Sequence, residues 1–187
     1  MAQDATDWAS RSLKFFHLRL AEAVRPDFAA RRAFYASDLA SRGLETTRAT
    51  SRLVLEGERF GAVLTFFASE DDALRAEERL GDLRAELERA IKFGEFRQRF
   101  DLRGVVLGAI RVGAAEVGAP ALVGVGRVDP PPPVPGQQTL FLTRLRASDG
   151  TEALVHVGSA PPRDRWPDAE FLERAIVVHV DHADAMP

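Results

Sequence analysis

Leu13-Lys14-Phe15-Phe16-His17-Leu18-Arg19-Leu20 is the stretch on which the architecture turns. Two periods compete in it. Trp8, Phe16, Leu20 and Val24 recur at helical spacing, whereas Phe16, Leu18 and Leu20 alternate with His17 and Arg19 as in a strand. Ala21-Glu22-Ala23 continues the pattern without a turn signal, so the spacing predicts a helix. Pro26 then suits the first turn of a second helix, which carries Phe28, Phe34, Tyr35 and Leu39 and ends near Gly43. A strand at 13–20 would change the order of the whole sheet.

Downstream the signals are less ambiguous. Residues 49–55 and 59–67 read as a hairpin joined by Glu56-Gly57-Glu58. Ser69 is a good N-cap with Asp72 as its acidic partner, and Glu70, Asp71 and Asp72 place negative charge where a helix dipole favours it. Leu80, Leu83, Leu87 and Ile91, flanked by Ala73 and Ala76, form a narrow apolar stripe, so a long helix is predicted over about 70–93. Residues 104–112 and 121–128 read as strands separated by a loop. A second hairpin, 140–146 with 152–157, turns at Ser148-Asp149-Gly150. Asp168 to Arg174 reads as a short helical turn before a last strand at 175–180, and no sequence repeat of fixed period is found.

The fold class predicted is therefore α+β: N-terminal helices plus a mixed, mainly antiparallel sheet, with the 70–93 helix packed on it. A strand leading into such a helix is similar in architecture to ferredoxin-like sandwiches and dimeric α+β barrels, a likeness that implies nothing about activity. The 187 residues are expected to form one domain. Any subdomain boundary is placed in the proline-rich connection 129–136, which holds five prolines and is expected to be extended.

Composition narrows the chemistry. There is no cysteine, which excludes disulfides, thiolate metal sites and thiol catalysis. Twenty-five basic and 28 acidic residues leave a formal charge of −3, so no broad nucleic-acid footprint is expected. The bases are nearly all arginine, Lys14 and Lys92 being the lysines, a bacterial-type coding bias. No stretch approaches the roughly 18 apolar residues of a membrane span, and the N-terminus has no signal-peptide pattern. A soluble, cytoplasmic protein is expected.

Three groups of residues invite a function. His156 and His179 sit in two similar Val-His-Val contexts, and Asp181 shares a face with His179; adjacent strands would bring them together as metal ligands. His182 and Asp184 extend that set on paper, and a solvated sheet face is the competing reading. Arg97, Arg99 and Arg103 lie around Phe96 and Phe100, a basic–aromatic run suited to anion or nucleic-acid contact, or alternatively to a helix end. Trp8, Phe15 and Trp166 are candidate partner-binding aromatics. Serines lack a nucleophile elbow, and the glycines of 104–128 lack a Walker lysine. No cofactor is implied. The expectation is a non-catalytic interaction or assembly subunit, self-associating or bound to a protein partner. A metal-dependent or ligand-binding enzyme with a sheet-face site is the alternative, and an anion binder the second alternative.

Overall fold

The computed structural model describes residues 14–23, 42, 51–91, 96–107, 116–126, 139–158 and 166–182. Eight strands and one helix are assigned: β1 (Phe15–Ala23), β2 (Ser51–Gly57), β3 (Phe60–Phe67), α1 (Glu70–Ile91), β4 (Phe96–Val106), β5 (Pro120–Gly126), β6 (Thr139–Ala147), β7 (Glu152–Gly158) and β8 (Ala169–His182). The strands close into a barrel in the order β1-β3-β2-β8-β5-β7-β6-β4, and every pairing is antiparallel. The α+β class is thereby corrected: the described residues are mostly strand, and the sheet shuts on itself.

The decisive stretch is a strand, not a helix. Phe16, Leu18 and Leu20 are fully buried inside the barrel, while His17 and Arg19 point outward. The helical spacing misled because Phe16 and Leu20, four residues apart, share one face in a strand as well as in a helix; Phe15, on the outer face, is also buried, beneath α1 with Phe67, Ala73 and Ala76. A strand apolar on both faces at one end cannot be told from a helix by periodicity alone. The second predicted N-terminal helix lies outside the described residues, apart from Arg42. The helix near 70–93 is present as 70–91, but it is two helical pieces joined at Gly81 (φ 31°, ψ −118°) rather than one long rod. That positive φ suits glycine. The Ser69 cap is in place: its Oγ donates to Asp72 Oδ2 at 2.7 Å and accepts from the Asp72 N–H at 3.2 Å.

Both predicted hairpins form, as β2–β3 and β6–β7. Two further expectations change. Residues 97–103 belong to β4 rather than to a helix end, and 169–174 open β8 rather than making a helical turn. In β8, Phe171 faces the interior while Leu172 packs outside with Leu122 and Trp166, so both faces of this segment are apolar.

The two halves of the barrel have one order. β4-β1-β3-β2 and β8-β5-β7-β6 each place the fourth, first, third and second strand of that half side by side, the strand order of a ferredoxin-like unit. The repeat is spatial and has no sequence period. Among the described residues the halves join at unequal seams, β2–β8 through Ser51–Gly57 and β4–β6 through Gly104–Val106. An eight-stranded barrel has an interior that side chains can just fill, and here phenylalanine, leucine, valine and alanine from all eight strands do so. At one end β4 extends past β6 before Gly104 and β8 extends past β2 before Ala175, and the two extensions meet. Phe171 there stacks edge-on against Phe60, with ring centroids 4.9 Å apart, and contacts Phe100 at 6.2 Å.

Candidate functional site

The residues with the most chemistry gather on the outer wall under α1. Strand alternation places His17 and Arg19 outward on β1, and Asp101 and Arg103 outward on β4. The register sets His17 opposite Arg103 and Arg19 opposite Asp101. Cross-strand partners have Cβ atoms about 5 Å apart, so two bases, an acid and an imidazole occupy one small patch. α1 adds Glu77 from above, one turn beyond the buried Ala73 and adjacent to the buried Ala76.

His17 is the centre of the patch. Its Nε2 makes a short hydrogen bond to Asp101 Oδ1, and its Nδ1 lies 3.5 Å from Glu77 Oε1. Arg19 donates to the same Glu77 oxygen at 3.1 Å, and Arg103 approaches it at 3.6 Å. Arg103 Nε is also 3.9 Å from Asp101, and Arg19 Nε lies 3.3 Å from His17 Nε2. Burial lowers the His17 pKa from its ordinary value, outweighing the hydrogen bond to Asp101, which raises it. The same hydrogen bond to His17 leads the causes that hold the Asp101 carboxyl down to about 2. The lowered pKa favours a neutral ring at neutral pH; a proton on Nε2, directed at the Asp101 carboxylate, would leave Nδ1 as the basic nitrogen. Asp101 and Glu77 address opposite ring nitrogens, so the three side chains do not share a point at which a metal could sit. Among the described residues, no group of three or more histidine, aspartate or glutamate side chains is arranged to hold one.

The residues singled out in the sequence are dispersed. His156 on β7 is opposite Leu122 of β5, and Leu122 is opposite Arg174 of β8. His179 lies farther along β8, opposite Val54, with Asp181 opposite Arg52. From Arg174 to His179 is about 16 Å of strand, and β5 lies between, so the register does not bring His156 to His179 and Asp181. Of the arginines, Arg97 is exposed opposite Glu22. Arg99 sits at the barrel end, paired with Glu22, donating to the Glu170 carbonyl at 3.0 Å and lying over the rings of Phe100 and Phe171. Arg103 alone enters the His17 patch, so the three do not form one anion site. Phe15 and Trp166 are buried and present no surface, contrary to the partner-binding expectation. Trp166 packs over Gly124, where a Cβ would stand 2.3 Å from its Cζ3. Trp8 lies outside the described residues.

Of the His17 patch the sequence singles out only Arg103 as a candidate; His17 and Arg19 stand out merely as the polar positions of 13–20, Glu77 reads as part of a solvated helix face, and Asp101 carries no signal of its own. The signal was present as two matching fragments, His17-Leu18-Arg19 and Asp101-Leu102-Arg103. Each sets polar residues at alternate positions around a leucine.

The fold and patch together define an intrachain antiparallel barrel with a polar, helix-covered cluster on one outer wall. No family model matches the chain, and no curated protein matches it in sequence. Among solved structures it is similar to the crystal structure described as "Putative monooxygenase" from Fusobacterium nucleatum subsp. nucleatum, with 8% identity and a TM-score of 0.56, over 92% of this chain and 95% of that one. That likeness is one of fold. Among the described residues no helix is long and apolar enough to cross a membrane.

Proposed function

We propose that the chain is a small-molecule enzyme that works by proton transfer at His17. The observation that carries this reading is a buried imidazole held from one side by an ionised carboxylate, with arginines beside it. In this scheme His17 Nδ1 takes a proton from a weakly acidic substrate. Asp101 orients the ring through Nε2–H and balances the imidazolium that forms. Arg19 and Arg103 stabilise the negative charge left on the substrate. The pKa lowered by burial supports a base role, because the ring is neutral before it acts.

The structural neighbour's description as an enzyme is in keeping with an enzyme reading rather than an assembly subunit. The assembly reading has lost Phe15 and Trp166 as anchors.

The test reads proton abstraction itself. β-Diketones and β-keto acids are incubated with the protein in deuterated buffer, exchange at the acidic carbon is followed by NMR, and oxygen uptake is recorded alongside. Wild type accelerates exchange of at least one compound, and His17→Gln lowers that rate by about 100-fold or more while keeping its circular dichroism. Equal exchange in the two proteins, or none above buffer across the panel, sinks the proposal.

A further inference from the structure

The strongest feature left over is the crowding around one oxygen. Glu77 Oε1 has Arg19 Nη2 at 3.1 Å, His17 Nδ1 at 3.5 Å and Arg103 Nη2 at 3.6 Å. The basic nitrogen of the proposed site therefore already faces a carboxylate, supplied by the protein itself. With His17 neutral, the patch formed by Arg19, Arg103, Asp101 and Glu77 is charge-balanced. Without Glu77 it carries one net positive charge, the complement of a monoanion.

Among the described residues, the element that delivers Glu77 has a small apolar footprint. The first half of α1 buries Ala73, Ala76 and Leu80, and alanines contribute little apolar area. Its helical path breaks at Gly81, four residues after Glu77, where nothing lies within 4 Å of the place a Cβ would occupy. A short helical piece with a small apolar footprint and a break at one end is poised for local opening. The patch is also reachable, since the Arg19 and Arg103 side chains keep 36% and 39% of their exposure.

The geometry points to Glu77 as a built-in occupant of a carboxylate-binding site, displaced by the carboxylate or equivalent anionic oxygen of the substrate. This rests on the proton-transfer reading of the same site and adds the substrate class: a small monoanion whose acidic position lies next to its anionic oxygen. The ligand oxygen replaces Glu77 Oε1 between Arg19 and Arg103, and the half-helix 70–80 moves about Gly81 to admit it. Glu77 thus keeps the site closed when no substrate is present.

The experiment uses the full chain and two probes, benzoate and its neutral isostere benzamide. Binding is measured by calorimetry and by shifts of the arginine Nε–H signals in NMR. Glu77→Ala and the isosteric Glu77→Gln are compared with wild type, each first checked by thermal unfolding. Benzoate is expected to bind both variants about tenfold tighter than wild type, as expected when an internal competing carboxylate is lost. Benzamide is expected to gain nothing, and Arg19→Met in the Glu77→Ala background to remove the gain. If benzoate binds neither variant better than wild type, or if benzamide gains as much as benzoate, the inference is overturned. His17→Gln combined with Glu77→Ala separates the two ideas. Tight benzoate binding there, with proton exchange undiminished in His17→Gln alone, would overturn the base assignment and leave the anion site standing. Loss of exchange without any benzoate gain would do the reverse.

Discussion

Gly104→Ala tests the weakest join in the barrel. Gly104 opens the β4–β6 seam opposite Ala147, and only Val105 and Val106 continue the pairing among the described residues. A Cβ on Gly104 would stand 1.9 Å from the Arg146 carbonyl oxygen and 2.7 Å from the Ala147 Cα. Both are backbone atoms and cannot rotate aside. An ordinary carbon–oxygen contact is roughly 3.3 Å, so the strands must part by about 1.4 Å, enough to break the neighbouring hydrogen bonds. Losing two such bonds costs about 2 kcal/mol, and forced overpacking adds about 1–3 kcal/mol. The expected destabilisation is about 3–5 kcal/mol, a large share of a total stability of order 10 kcal/mol. In urea unfolding followed by tryptophan fluorescence, a slope of about 2.5 kcal/mol per molar converts this to a midpoint drop of about 1–2 M. Amide exchange at Val105 and Arg146 should rise in parallel. A midpoint within about 0.3 M of wild type, with those amides still protected, would refute the claim that the seam is this tight.

Three further outcomes are expected. Asp101 has a folded pKa of about 2, below its unfolded value, so its contribution is present above the ordinary aspartate range and lost as pH falls through about 2. After discounting for its partial exposure that contribution is about 1 kcal/mol. His17, also lowered, adds stability above pH 6.5 that declines as pH drops below it, so a series of urea midpoints from pH 7.5 downward should fall in wild type and fall less in His17→Gln. Gly124→Val drives a side chain into the Trp166 ring and should cost about 1–3 kcal/mol, read as a lower unfolding midpoint with red-shifted emission. Arg99→Met removes an exposed pairing with Glu22 and a bond to the Glu170 carbonyl; stability should change by less than about 1 kcal/mol, while amide exchange around residues 169–171 quickens.

Local chemistry was readable wherever a few adjacent residues determine the outcome. Asp149-Gly150 sets the β6–β7 turn, and Ser69 with Asp72 sets the start of α1. The N-terminal strand was misread because Phe16 and Leu20 are four apart, a spacing that fits strand and helix alike, and because the strand itself runs on through Ala21-Glu22-Ala23 without a turn. Phe171, buried inside, and Leu172, buried outside, broke the alternation that would have marked the start of β8. Barrel closure left no local mark, because it depends on Ser51 meeting His182 and Gly104 meeting Ala147 across long separations. The site was illegible for a related reason. His17, Glu77 and Asp101 come from three elements, and only closing β1 against β4 under α1 makes them neighbours.

The doubled strand order has a bearing on how such a chain can change. In a barrel assembled from two identical copies, every substitution is made twice and must suit both sides of the symmetry axis. Here each half is written separately. The outer wall of one carries His17, Asp101 and their arginines beneath α1, while the wall of the other carries Leu122 and Leu172 under Trp166. One wall can thus accumulate costly charged groups while its counterpart keeps an apolar cluster, a division of labour that a symmetric pair could not reach by single substitutions.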